Sequence, residues 1–290
     1  MREADRLFDQ AAARLFGHDL RGARELFGRA GAAGRLDAAV IHCNLVASGE
    51  DWQRGLALLR GLARVNRRSR RELDVIEAMA LTPTGDPVSV PAGEQLGERP
   101  HLTLFRGLFS EAECRYLIGA AEPMLEPSVV VDRRTGRQVR DPVRTSDGVG
   151  FTWPLENPAV HSLNRRIAAA SGTTVEQGEP LQVLRYRPGE EYKPHFDAIP
   201  GFANQRALTM LVWLNDDYEG GETLFMTPGR KLKGGVGDAL LFRNTDSSGR
   251  RDDAAGHAGL PVTRGEKLIA SRWIRQRKFE PPPASEGRAG

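Results

Sequence analysis

The chain has 290 residues, 40% hydrophobic and 27% charged, with a formal net charge of +3 and an isoelectric point near 9.1, an ordinary composition for a soluble globular protein. Its two cysteines, Cys43 and Cys114, are far apart and form no CxxC, which argues against a disulfide framework or a cysteine-based zinc site. No apolar run approaches the roughly 20 residues needed to span a bilayer, and the charged N-terminus lacks the apolar stretch of a signal peptide, so a cytoplasmic protein without a membrane partner is expected.

Residues 1–80 are predicted to be helical. Leu7, Phe8, Ala11, Ala12, Leu15 and Phe16 recur at helical spacing, without strand-like alternation. The run Arg21-Gly22-Ala23-Arg24-Glu25-Leu26 is echoed by Arg54-Gly55-Leu56-Ala57-Leu58-Leu59, at a spacing typical of stacked helix pairs. The stretch GRAGAAGRLDAAV resembles the small-residue helix crossings of Sel1-type tetratricopeptide-like repeats, and a small helical bundle fits it equally well. Residues 81–100 hold four prolines and three glycines and read as a linker.

From 101 to 279 the texture changes. Leu102-Thr103-Leu104-Phe105 is strand-like, and Ser110 with Glu113 forms a capping box opening a helix to about Met124. Short β runs follow at 128–132, 181–186, 207–214, 223–226, 238–242 and 268–274, with a helix near 159–170. The expected fold class is α+β: a double-stranded β-helix (jelly roll) supported by a few helices and preceded by a small all-α, repeat-like domain. Residues 280–290 read as a disordered tail. Two arginine groups, Arg64, Arg67, Arg68, Arg70, Arg71 and Arg133, Arg134, Arg137, Arg140, Arg144, read first as solvated surface. The sharper reading is attraction of an acidic peptide or nucleic acid. No nucleic-acid-binding motif accompanies them, so nucleic acid is not an expected partner.

The chemistry centres on Tyr192-Lys193-Pro194-His195-Phe196-Asp197. In an extended strand, side chains two apart face the same way, so His195 and Asp197 would project together while Phe196 packs opposite. His257, in Gly256-His257-Ala258-Gly259, is the candidate third ligand. Two imidazoles and one carboxylate form a facial triad that leaves adjacent positions open on an octahedral iron, although such sets also suit zinc or manganese. Farther along, Lys267, Ile269, Ser271 and Trp273 share one strand face. A lysine that begins an inward face is costly to bury unless it meets an anion.

These blocks, with Arg144-Thr145-Ser146, the run from Leu181 to Tyr186, Glu219-Gly220-Gly221-Glu222-Thr223, the run from Gly237 to Phe242 and Gly265-Glu266-Lys267, resemble the prolyl 4-hydroxylase family of 2-oxoglutarate/iron(II) dioxygenases over about residues 100–279. The resemblance implies Fe(II) at His195, Asp197 and His257. It implies 2-oxoglutarate at Lys267, Tyr186 and Thr223, and substrate at Arg144, Ser146, Tyr192, Arg206 and Trp273. It further implies O2 as co-substrate, ascorbate as reductant, and hydroxylation of a C–H bond with release of succinate and CO2. The expected substrate is a prolyl residue of a peptide or protein, recruited with help from residues 1–80. A free amino acid or small metabolite is the alternative substrate, and a non-catalytic binding module the alternative of another class. Arg275 and Glu190 depart from the family pattern and read as charge changes near the mouth of the site.

Overall fold

The computed structural model describes residues 2–49, 51–131, 138–152 and 154–280. It divides into two compact units. One runs to Val88 and includes Phe151–Leu163, and the other comprises Ser89–Gly150 and Asn164–Phe279. Arg133, Arg134 and Arg137, and all of the expected tail except Glu280, lie outside the described residues.

The first unit is built from α1 (Glu3–Phe16), α2 (Leu20–Ala32), α3 (Leu36–Gly49), α4 (Trp52–Leu62) and α5 (Arg67–Ala78), each packed on the next. The amphipathic stripe of α1 buries Leu7 and Ala11 in a core with Ala23, Phe27, Ala30, Ala38 and Leu45. Asp19, Asp51 and Asn66 cap α2, α4 and α5 by accepting from backbone N–H groups of the first turn. The two echoed segments fall at equivalent places, the starts of α2 and α4. Small residues make the crossings close: a Cβ on Gly31 would sit 2.9 Å from Ala39, and one on Gly55 would sit 2.4 Å from the Cβ of Ala47.

The segment expected as a linker, 81–100, is divided between the units. Its first part is a turn closed by Thr82 N–H to Asp86 O and Val88 N–H to Ala80 O. Its second part contains the strand Gly93–Glu98, which pairs antiparallel with His101–Phe105. Proline and glycine here mark turns at either end of an edge strand, and the composition of a turn is also that of a linker.

The second unit is an antiparallel jelly roll. Its larger sheet has eight strands in the order Gly93–Glu98, His101–Phe105, Ala239–Arg243, Arg206–Trp213, Lys267–Arg275, Gln182–Tyr186, Asp147–Gly150 and Glu126–Pro127. The smaller sheet has four: Arg230–Leu232, Thr223–Phe225, His257–Gly259 and Tyr192–His195. Helix α6 (Glu111–Ala121) opens on the expected capping box, Ser110 and Glu113 each accepting from the other's backbone N–H. Helix α7 covers Pro158–Ser171. The jelly-roll core takes Leu104, Leu184, Trp213 and Ile269 from the large sheet and Phe225 from the small one. Among the described residues no helix is long and apolar enough to cross a membrane.

Candidate metal centre

A cleft with about 460 Å³ of empty volume is lined from both sheets. The large sheet contributes Tyr186, Leu211, Lys267, Ile269, Ser271 and Trp273, and the small sheet contributes Tyr192, His195, Thr223 and His257, with Arg144 and Asp197 also on the wall. The four alternate residues Lys267, Ile269, Ser271 and Trp273 all face it, as a period of two requires.

His195, Asp197 and His257 each offer a ligand atom, and these atoms lie within 4.8 Å of one another. Strand pairing brings them together, since His257 stands directly opposite His195 in the small sheet. The strand ends at His195, so Asp197 reaches the centre from the bend that follows. Its Oδ1 is 3.6 Å from His195 Nε2 and its Oδ2 is 3.8 Å from His257 Nε2, both beyond hydrogen-bond range.

Each imidazole is oriented by a backbone carbonyl two residues earlier in sequence. His195 Nδ1 lies 2.8 Å from Lys193 O and His257 Nδ1 lies 3.0 Å from Ala255 O. A carbonyl oxygen can only accept, so each Nδ1 carries a proton and each ring turns its Nε2 to the centre. Tyr192 stacks on His195 with ring centroids 3.5 Å apart, and Phe242 meets His257 edge-on at 4.8 Å. Burial alone would raise the Asp197 carboxyl. The imidazoles of His257 and His195 and the hydroxyl of Thr209 instead hold it well below the usual carboxylate range. Burial pushes His257 down, toward the neutral ring that ligates metal. With a cation in place of ring protons, two Nε2 donors and one ionised carboxylate fit a ferrous ion with open positions.

Lys267 is only 4% exposed. Its Nζ donates to Gly221 O at 2.7 Å, and among the described residues no carboxylate lies within ion-pair distance of it. Gly221 adopts φ +67°, and a Cβ there would press on the Lys267 stem at 3.2 Å, so glycine lets that carbonyl approach the ammonium. Burial pushes the amine down to about 8. Tyr186 stands beside Lys267 in register, and Thr223 lines the same cleft. A buried ammonium in this cleft fits a carboxylate such as the far end of 2-oxoglutarate.

The expected substrate residues divide. Arg144, Tyr192 and Trp273 line the cleft. Ser146 does not: it is 1% exposed and lies behind the wall, near Ser128 Oγ at 3.4 Å and hydrogen-bonded to Tyr186. Arg206 is also held back, clamped to both oxygens of Glu179 at 2.6 and 2.9 Å and laid over the Trp273 ring at 3.4 Å. Arg275 joins the same Glu179 at 2.6 Å, and Glu190 accepts from Arg187 N–H in its own turn. Both departures from the family pattern thus serve local structure, because an exposed-looking charge in sequence finds its counter-ion in the fold. Leu184, Leu211 and Gly259 line the cleft without having been expected. For Leu211 the signal was strand alternation.

Residues 181–275 match the 2OG-Fe(II) oxygenase superfamily. Prolyl 4-hydroxylase 1 of Arabidopsis thaliana is 39% identical over 197 residues, which cover 61% of this chain and 70% of that protein. Probable prolyl 4-hydroxylase 7 of the same plant is 34% identical over 218 residues, covering 67% and 68%. Among solved structures, the viral collagen prolyl hydroxylase of Paramecium Bursaria Chlorella virus-1, in its 2-oxoglutarate complex, is 30% identical, covers 60% of this chain and 95% of that one, and superposes with a TM-score of 0.49. With its ligand set, its buried lysine and these relatives, the chain belongs to the prolyl 4-hydroxylase family of 2-oxoglutarate- and iron(II)-dependent oxygenases.

Proposed function

We propose that the chain hydroxylates a prolyl residue of a peptide or protein, consuming 2-oxoglutarate and O2 and releasing succinate and CO2. The observation that carries this is the placement of His195, Asp197, His257 and the buried Lys267 in one cleft, in a chain 39% identical to a named prolyl 4-hydroxylase. When bound, the ferrous ion and its keto acid supply the oxidising chemistry at carbon. The chain's own residues bind and orient. His195, Asp197 and His257 hold the ion, with both rings kept in the ligating tautomer. Lys267, Tyr186 and Thr223 hold the far carboxylate of the co-substrate. Arg144, Tyr192 and Trp273 face the substrate, while Ser146 and Arg206 steady Tyr186 and Trp273 from behind. Ascorbate is the proposed reductant that keeps the iron ferrous, and residues 1–80 are proposed to help recruit the polypeptide.

The test is succinate release by protein supplied with Fe(II), 2-oxoglutarate and O2, comparing proline-containing peptides with free amino acids. Mass spectrometry should find one added oxygen on proline. Stimulation by free amino acids alone would move the substrate to the small-molecule class. Consumption of no O2 with any candidate would leave a binding module, a reading the relatives do not favour.

A further inference from the structure

Thr209 Oγ1 lies 2.6 Å from Asp197 Oδ2, and Asn244 Nδ2 lies 2.8 Å from the same Thr209 oxygen. Both Thr209 and Asn244 are 1% exposed. An ionised Asp197 can only accept, so the single hydroxyl proton of Thr209 must point at Oδ2. The group facing Thr209 from the other side must then be a donor, which fixes the Asn244 amide with its nitrogen toward the hydroxyl. Among the described residues the amide oxygen has no hydrogen-bond partner in its buried site. Leaving a buried acceptor unmet is destabilising, so Asn244 is a poor choice for stability alone.

The same residue also reaches toward His257. Its backbone carbonyl accepts from Asp252 N–H at 2.9 Å. Asp252 caps the short turn Asp253–Ala255 by accepting from Ala254 N–H, and that turn presents the Ala255 carbonyl to His257 Nδ1. Two of the three ligands are therefore tied to one asparagine, Asp197 through its side chain and His257 through its main chain.

We infer that Asn244 is a positioning residue for the metal centre. Its amide directs the Thr209 hydroxyl onto Asp197 Oδ2, which leaves Oδ1 for the ion, and its carbonyl anchors the turn that orients His257. The inference rests on the reading of Asp197 and His257 as ligands, and Co(II) alone is a probe that needs no turnover. Binding is measured on the full chain for wild type, Thr209→Val, Thr209→Ser, Asn244→Ala and Asn244→Asp, together with thermal unfolding of each metal-free protein.

Thr209→Val keeps the shape and removes the donor, so Co(II) binding should weaken by about tenfold to a hundredfold, while Thr209→Ser should bind like wild type. Asn244→Asp is the discriminating change. Its carboxylate cannot donate, accepts the Thr209 proton instead, and turns the hydroxyl away from Asp197. It should therefore bind Co(II) at least as poorly as Asn244→Ala, although it is closer to asparagine in size. A packing role predicts the reverse order. Near-normal binding by Asn244→Asp or by Thr209→Val overturns the inference. Should either Asn244 variant be unfolded without metal, the Val and Ser pair at Thr209 decides it alone. Wild-type protein that takes up no Co(II) overturns the ligand reading and this inference together.

Discussion

Lys267 shows how one side chain trades stability for binding. Its ammonium is buried against a single carbonyl, and burial has pushed its pKa down to about 8 from the ordinary 10.5. Only the charged form attracts a dicarboxylate, so the KM for 2-oxoglutarate should be flat below about pH 8 and rise above it. Breaking a buried ion pair costs about 3–5 kcal/mol, so Lys267→Ala should raise that KM by about a hundredfold or more and remove its pH dependence. The metal-free protein carries the opposite signature. Between about pH 8 and 10.5 the unfolded chain holds a proton that the folded one has released, so this residue makes stability rise with pH there. Thermal unfolding of the alanine variant should lose that rise. Asp197→Ala should instead abolish succinate release at every pH while circular dichroism stays native, because it removes a ligand without opening the core. Strand alternation placed Lys267 on an inward face, and the family resemblance supplied the anion it would meet. Sequence alone could not show that Ser146, Arg206 and Arg275 would be held by neighbours, since their partners Tyr186 and Glu179 meet them only after folding.

Among the elements, α5 of the first unit carries a comparable liability. Burial pushes the Glu72 carboxyl up to about 8, and its hydrogen bond from Ala159 N–H is long at 3.4 Å. From about pH 4.5 to 8 the unfolded chain has lost this proton and the folded one has kept it, so the residue makes stability fall as pH rises. Glu72→Gln should flatten that part of the stability–pH curve, followed by circular dichroism during heating. Helices were the most legible elements, because each carries its own periodicity and caps. Ser110 and Glu113 announced α6 correctly, and Pro158–Ser171 was expected to within a residue or two. The long central strands were also readable. Short strands such as Glu219–Gly220, Val262–Arg264 and Gly93–Glu98 were not, since two to six residues hold no pattern of their own and become strands only by pairing.

For the molecule as a whole, the return of Phe151–Leu163 to the first unit governs how recruitment can be tested. Within that unit Asn44 donates to Pro154 O, Glu72 accepts from Ala159 N–H, and Val160 and Leu163 are fully buried. A chain truncated to begin at Ser89 strips these partners and should melt at lower temperature and bind hydrophobic dye, so deletion is a poor assay of recruitment. Charge reversal at the exposed Arg67 and Arg71 avoids this. If the first unit recruits an acidic stretch of polypeptide, it should raise the KM for a protein substrate and leave that for a short peptide unchanged. By itself, the sequence determined the helical start, the jelly-roll texture, the three residues that meet as a candidate metal centre and the inward face of Lys267, because each is written in local spacing or in blocks shared with a family. Only the tertiary structure decided which charges were free and which were clamped, where the presumed linker became an edge strand, and how Asn244 ties Asp197 to His257. Those outcomes depend on which side chains and strands meet once the chain has folded, and composition or spacing alone carries no record of who the neighbour will be.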